Sequence, residues 1–379
     1  MDVQSPARTA MNALAQPHIA FRTDASLQIG TGHVMRCLTL ADALRARGAQ
    51  STFICRPHTG HLLNMIRQRG HTATALAAAD DGFTAPSFPA HAQWLGTDWA
   101  KDAEQTRQAL GGQVADWLVV DHYALAHQWE QALRPHSRRI MAIDDLADRP
   151  HDCDLLLDQN LGRQAQDYAG LLSGKTLTLT GPAYALLRPE FAQWREHSLQ
   201  NRNEPQRKNL LISMGGADQH NATGTVLDAI KSSNLPSDLR ITVVMGPTAP
   251  WLAQVQAQAA AMPQSTQVLD GVSNMAQLMA ESDLCIGAAG SSAWERCAMG
   301  LPTVVWIMAA NQQKGALALQ AHGAAVIAAD SSQLTHHLTT LLVDDQTSLS
   351  LRKMSHQASI LTASDGTAQV VELLLASHD

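Results

Sequence analysis

The sequence predicts an α/β protein of two Rossmann-like, doubly wound domains with an interdomain cleft. Three observations lead there. Short apolar runs alternate with amphipathic segments in two successive series, the rhythm of parallel strands joined by crossover helices. A polar, proline-containing stretch, REHSLQNRNEPQRKN (195–209), lies between the series and has the composition of a linker. The chain is 379 residues long and 45% hydrophobic, enough for about two cores of ordinary domain size.

Taken in order, residues 1–17 show no periodic pattern and are expected to form a loose extension ahead of a first domain over 18–194. IAFRTDA (19–25) reads as the first strand and VMRCLTLADALRARG (34–48) as the first helix. Val34, Leu38, Ala41 and Leu44 recur there at three- and four-residue spacing, and Gly48 stands where a helix C-cap belongs. STFICR, HLLNMIRQRG and TATAL continue as strand, helix and strand. DDGFTAPSFPAHAQW (80–94), rich in Pro and Ala, fits no regular element and is expected to form a flexible rim of the cleft. WLVVDHYA (117–124), RIMAIDDLA (139–147) and DLLLDQN (154–160) are short apolar runs that end in acidic or turn residues. Buried parallel strands whose C-terminal ends open onto a site have that pattern. A second domain is expected over 210–379. In it NLLISMGG, LRITVVMGP, TQVLDGV, DLCIGAAG and LPTVVWIMA alternate as strands with NATGTVLDAI, PWLAQVQAQAAAM, MAQLMAES and SSAWERCAMG as helices.

A formal net charge of −7 gives no reason to expect nucleic acid or an anionic membrane as partner, so an anionic substrate would have to be held locally. Cys37, Cys55, Cys153, Cys285 and Cys297 are an odd, scattered set with no CxxC pair, which argues against a disulfide framework or a thiolate zinc site. No run approaches the roughly 18 to 20 apolar residues that span a bilayer, and the N-terminal MDVQSPARTAMNALAQPH lacks the apolar stretch of a signal peptide. These readings imply a cytoplasmic protein without stable membrane association, and they leave a monomer open.

Three strand ends carry glycines: Gly30 and Gly32, Gly215 and Gly216, and Gly287 and Gly290. Glycine lets backbone approach a ligand closely, so an anion can sit on the free N–H groups of the helix that follows. Ordinary loop chemistry accounts for any one turn. Together, across two domains, they fit a cleft that grips a diphosphate, with Gly30, Gly32, Gly215 and Gly290 as candidate contacts. None completes GxGxxG or GxxxxGK[ST], which disfavours dinucleotide redox chemistry and nucleoside triphosphate hydrolysis.

GTGHVMRC (30–37) places His33 at the start of the first helix, and two readings are open: a polar residue of the first turn, or a base beside a bound phosphate. A positive helix N-terminus favours the neutral, proton-accepting ring. Asp24, on the strand feeding this turn, could orient the ring or cap the turn. Arg22 and Arg36 could face the diphosphate or pair with acids. Ser292 and Glu295 have the S-x-x-E spacing of a capping box, in which each side chain satisfies the other's backbone N–H. The alternative for Glu295 is to accept hydrogen bonds from ribose hydroxyls. A metal is not called for. His58 and His61 lack the i, i+4 geometry and acidic partner of a zinc helix, and Asp144, Asp145 and Asp148 read equally as turn caps or as magnesium ligands.

The segments RTDASLQIGTGHVMRCLTLADAL, VVDHYAL, IDDLADRPHDCDLLLDQN, GPAYALLRPEF, ISMGGADQHNAT and GAAGSSAWERCAMGLPTV run in that order from about residue 20 to 310. Together they resemble the UDP-2,4-diacetamido-2,4,6-trideoxy-β-L-altropyranose hydrolases of pseudaminic acid biosynthesis. The Gly-rich segments are shared more widely with UDP-N-acetylglucosamine glycosyltransferases of the peptidoglycan branch. The resemblance implies the glycosyltransferase-B architecture, with the sugar and the base in the N-terminal domain and UDP held mainly by the C-terminal one. It implies His33 as catalytic base, Tyr123 beside the sugar, Glu295 on the ribose, Ser291 and Ser292 near the diphosphate, and Asn311 in the sugar pocket. It implies neither metal nor cofactor.

The implied chemistry is economical. An ordinary glycosidase needs two carboxyl groups because its alcohol leaving group must be protonated. UDP leaves well unaided, so one base that aims a water at C1 suffices, with backbone N–H groups stabilising the departing diphosphate. The expected reaction is hydrolysis of the anomeric C–O bond of a UDP-sugar with inversion. The alternatives are a glycosyltransferase with a UDP-N-acetylhexosamine donor, a UDP-sugar 2-epimerase of the same architecture, and a non-catalytic nucleotide-sugar binding protein.

Overall fold

The computed structural model describes residues 16–308, 312–344 and 348–376. The chain forms two wholly parallel sheets, as the alternating pattern predicts. The first contains β1 (His18–Thr23), β2 (Gln50–Cys55), β3 (Thr72–Ala75), β4 (Ala115–Asp121), β5 (Ser137–Ile143), β6 (Leu155–Asp158) and β7 (Leu177–Thr180), in the order β3-β2-β1-β4-β5-β6-β7. The second contains β8 (Asn209–Ser213), β9 (Arg240–Met245), β10 (Ser265–Asp270), β11 (Leu284–Ala288), β12 (Thr303–Trp306) and β13 (Val326–Ala328), in the order β10-β9-β8-β11-β12-β13. In each sheet the strand order reverses beside the first strand. Doubly wound sheets bind ligands in the crevice at that point, outside the C-terminal strand ends.

Helices α1 (Gly32–Ala46), α2 (Leu63–Gln68), α3 (Trp99–Ala109), α4 (His127–Leu133) and α5 (Pro189–Asn201) precede the second sheet. Its helices are α6 (Ala222–Lys231), α7 (Leu252–Ala260), α8 (Met275–Glu281), α9 (Ser292–Ala298), α10 (Gln313–Ala321), α11 (Ser331–Leu342) and α12 (Ser348–Leu361), and α13 (Gly366–Leu375) follows them. α1 starts two residues before the predicted span and buries Val34, Leu38, Ala41 and Leu44 against β1 and β2. Phe21 of β1 stands beside Phe53 of β2 and Val119 of β4 in register, and its ring stacks on Phe53 at 4.8 Å. This interior holds the β1 and β4 ends in place.

The chain divides differently from the sequence expectation in two places. Residues 195–201 of the expected linker are the last turns of α5, which packs on α8 and α9 of the second sheet. Arg195 donates to Ala298 O and Ser359 O, and Arg202 to Met279 O, so this polar stretch is docked through its long side chains. α13 returns to the first sheet. Val370, Val371 and Leu374 enter the same core as α1, and Trp117 Nε1 of β4 donates to Leu374 O at 2.9 Å. No helix among the described residues is long and apolar enough to cross a membrane.

Candidate functional site

The site is built where α1 leaves β1. Ser26 O accepts from Gly30 N at 2.8 Å, closing a turn that Gly30 completes with φ +82°, a left-handed conformation open to glycine. Across the cleft the second domain comes close. A Cβ at Gly32 would lie 3.6 Å from Ser291 Oγ, and one at Gly216 would lie 3.4 Å from Thr31 Oγ1. Gly32, Ser291 and the Gly215–Gly216 turn therefore share one cleft, as the Gly-rich turns imply.

His33 lies in the first turn of α1 and aims at the end of β4. Its Nδ1 is 2.6 Å from Asp121 Oδ1. Arg36, one turn on and on the same helix face, grips the same carboxylate: Nε meets Oδ2 at 2.6 Å and Nη2 meets Oδ1 at 2.7 Å. Nη2 also lies 3.3 Å from His33 Nδ1. A ring nitrogen cannot donate to the carboxylate and accept from the guanidinium at once, and the shorter contact decides: Nδ1 carries the proton and donates to Asp121. In the neutral ring Nε2 then carries the lone pair, and it has no hydrogen-bond partner among the described residues. Burial alone would raise the Asp121 carboxyl, but Arg36 and His33 beside it hold it well below the usual carboxylate range. It therefore stays an acceptor at any pH at which the protein works.

The other guanidinium nitrogen extends the network. Arg36 Nη1 meets Asp145 Oδ2 at 2.8 Å, and that oxygen also accepts from Tyr123 Oη at 2.6 Å. Asn160 Nδ2 donates to Asp145 Oδ1 at 3.0 Å. Tyr123 meets the His33 ring edge-on at 4.6 Å. Burial and the Asp145 charge push its phenol well up, so it remains a neutral donor.

Asp24 does not orient His33. It is wholly buried, with Oδ1 on Arg22 Nη1 at 2.7 Å and on Arg56 N at 2.6 Å, and Oδ2 facing His122 Nε2 at 3.3 Å. Arg22 and Arg56 also bind Asp102, so two guanidinium groups and two carboxylates cancel inside the first domain. Burial demands that balance, since an unpaired charge there is strongly destabilising. Arg22 and Arg36 are thus committed to buried acids rather than facing a diphosphate. The acidic run is likewise spoken for: Asp144 binds Arg149 at 2.6 Å and Tyr168 Oη at 3.0 Å, Asp145 binds Arg36, and Asp148 binds Arg149 at 3.1 Å. His58 Nε2 stands 3.8 Å from Asp24 Oδ2. Among the described residues no group of three or more His, Cys, Asp or Glu is placed to hold a metal ion.

In the second domain the α6 N-terminus is already filled. Asp218 accepts from Ala222 N at 2.8 Å and Thr223 N at 2.9 Å, so those N–H groups are not available to an anion. The α9 N-terminus carries no such cap. The predicted capping box is absent: α9 begins at Ser292, Ser291 before it has helical φ −54° and ψ −30°, and no side chain caps the turn. A box needs an extended N-cap residue. Ser292 Oγ accepts from Arg296 Nη1 at 3.2 Å, and Glu295 Oε1 lies 3.4 Å from Arg188 Nη2. Burial raises the Glu295 carboxyl, against the pull of Arg188 and Arg296. Glu190 shares the Arg188 guanidinium at 3.0 Å. Glu295, with 22% of its side chain exposed, is left as an acceptor beside Arg188, free of the capping role. Asn311 lies outside the described residues.

Sequence reasoning did not single out Asp121, and it took Asp145 as a turn cap or magnesium ligand rather than as the partner of Arg36 and Tyr123. The acid at the end of WLVVD was visible as a strand end opening on a site, but its pairing with His33 spans 88 positions.

Two doubly wound parallel domains that face one cleft make this a glycosyltransferase-B fold. The structure of LpCGTa in complex with UDP superposes with a TM-score of 0.62 at 14% identity, covering 96% of this chain and 100% of that one. Residues 210–370 match the glycosyltransferase family 28 C-terminal domain. The chain is 26% identical over 274 residues to the UDP-2,4-diacetamido-2,4,6-trideoxy-beta-L-altropyranose hydrolase of Campylobacter jejuni, covering 72% of this chain and 85% of that protein. It is 24% identical over 291 residues to an uncharacterized protein of Methanocaldococcus jannaschii, covering 76% of this chain and 55% of that one. The chain thus spans about half the length of the archaeal relative.

Proposed function

We propose that this chain hydrolyses a UDP-linked 2,4-diacetamido-2,4,6-trideoxyhexose at its anomeric carbon, releasing UDP and the free sugar in pseudaminic acid biosynthesis. The observation that carries this reading is the His33–Asp121 pair, in which Nδ1–H is committed to a carboxylate and Nε2 is left to accept a proton. His33 Nε2 takes a proton from water as the water oxygen attacks C1 from the face opposite the diphosphate. The C1–O bond breaks, its electron pair goes to the β-phosphate oxygen, and the configuration inverts. The imidazolium then returns its proton to solvent. Asp121 holds the tautomer and stabilises the imidazolium as it forms. Glu295 accepts from the ribose hydroxyls, and Gly290, Ser291 and Ser292 lie along the diphosphate, with Gly30, Gly32 and Gly215 allowing close approach.

The test is hydrolysis in ¹⁸O-labelled water without acceptor, read by mass spectrometry and NMR. Stoichiometric UDP with label on the sugar is expected, and label on UDP would sink attack at C1. The match of residues 210–370 to a glycosyltransferase family 28 domain favours a second reading, transfer to an acceptor. UDP release that requires an added acceptor would decide for it.

A further inference from the structure

The segment expected to be a flexible rim is a closed loop. Asp80 N donates to Gly96 O at 2.8 Å, and the Asp80 carboxylate takes Thr97 Oγ1 and Lys101 Nζ, so the two ends of 80–96 are clamped together. Within it Gln93 accepts from Ala85 N at 3.2 Å and donates to Phe83 O at 3.3 Å. Gly96 turns with φ +71°, and a Cβ there would collide with Ala79 and His58. A compact loop whose ends meet and whose interior is tied by its own side chains is an Ω-loop, a common carrier of function.

This loop delivers two rings to the base. His91 and Trp94 lie 4.3 Å apart, His91 lies 5.4 Å from Tyr123, and Trp94 stacks on Tyr123 at 5.7 Å with 24° between the planes. Tyr123 in turn touches His33. Both loop rings are half-buried and keep exposed surface, and the Tyr123 hydroxyl is already given to Asp145. The wall therefore presents ring carbons, one imidazole and the indole N–H of Trp94, and no free hydroxyl.

We propose that His91 and Trp94 form, with Tyr123, the wall that selects the sugar: it takes a nucleotide-linked hexose whose substituents on that side are apolar, an acyl methyl or a deoxy carbon. The proposal rests on the reading of His33 as the water-activating base of the same cleft. A hydroxyl turned toward the ring faces loses its water and finds no partner on them, the polar edges being limited to the Trp94 N–H and the His91 imidazole, whereas a C–H face or methyl group packs on the rings and displaces water. His91 can serve the amide of an acyl group. Burial lowers its imidazole, with Asp148 opposing and Arg149 and His33 adding to the drop, so the ring is neutral and offers one donor and one acceptor.

The test is calorimetric titration with UDP, UDP-glucose and UDP-N-acetylglucosamine, made in a His33→Asn background so that the probes survive. That background is expected to bind UDP-N-acetylglucosamine about 10-fold or more tighter than UDP-glucose. Adding Trp94→Ala or His91→Ala should bring the two affinities together while the UDP affinity holds. An unchanged ratio, no preference at the outset, or equal loss for all three probes would overturn the wall. Hydrolysis of the probes by the His33→Asn protein would refute the base instead. The ratio of the UDP-glucose and UDP-N-acetylglucosamine Kd values, read over times short against turnover, would still judge the wall.

Discussion

Replacing Asp121 by Asn tests the catalytic pair with almost no change of shape. The carboxylate accepts from His33 Nδ1 at 2.6 Å and from Arg36 at 2.6 and 2.7 Å. In the transition state the imidazole gains a full positive charge, and the charge centres of the two groups stand roughly 4 Å apart. At an effective dielectric near 20 that attraction is worth about 4 kcal/mol. Losing it slows the chemical step about 10³-fold. The amide can also donate to Nδ1 and select the tautomer in which Nε2 carries the proton, a further loss in the same direction. The assay is initial-rate UDP release under saturating substrate, with UDP affinity by calorimetry and a urea midpoint as controls for binding and folding. A kcat within about 10-fold of the wild type, in a folded variant that binds UDP normally, would refute the argument that Asp121 sets the state of His33.

Three further outcomes follow from the same contacts. Glu295→Gln should weaken UDP about 10-fold or more but leave 2′-deoxy-UDP nearly unaffected, because an ionised acceptor is worth about twice a neutral one to a ribose hydroxyl; equal losses for both ligands would remove Glu295 from the ribose. Stability should peak mildly acid. Burial and the neighbouring Asp145 raise the Asp158 carboxyl to about 6, so the folded state holds its proton more tightly and gains stability as pH falls from about 7 toward 5. Asp121 and Asp144 are held low by Arg36 and Arg149, so their contribution is whole above about pH 4 and is lost below it. Urea midpoints that rise steadily from pH 7 to 3 would contradict this. Leu374→Ala, at a fully buried site in the core shared with α1, should cost about 2–5 kcal/mol of first-domain stability by urea unfolding. A cost under about 0.5 kcal/mol would mean that α13 merely rests on that domain.

The two sheets were legible because parallel strands covered on both faces leave unbroken apolar runs, as in WLVVD and LLLD, and because helices between them repeat at three and four residues. Residues 195–201 are hard to see as helix in the sequence because this half of α5 is polar: Phe191 and Trp194 supply the apolar contact upstream, while Arg195 and Arg202 reach backbone carbonyls. α13 carries an apolar face that fits either domain, and nothing in Val370, Val371 and Leu374 says which sheet they meet. Nearness along the chain misled for Asp24: nine positions from His33, it sits among Arg22, Arg56 and His122 on the far side of the strand end. The capping box failed because a spacing says nothing about whether the preceding residue is extended, and Ser291 is helical.

Arg36 joins what the sequence showed only as separate motifs. One guanidinium holds Asp121, which fixes His33, and Asp145, which fixes Tyr123 and with it the face that His91 and Trp94 pack against. The pull of Asp121 and Asp145 more than offsets the burial that disfavours its charge, so this cation does not titrate. A small rotation of Arg36 would therefore displace His33 and Tyr123 together, and with them the proposed proton acceptor and sugar wall. On the proposed function, binding and water activation then depend on one another through this one guanidinium and the two carboxylates it holds. Substitutions at His33 and Trp94 should accordingly fail to add, since each loosens a network in which the other participates.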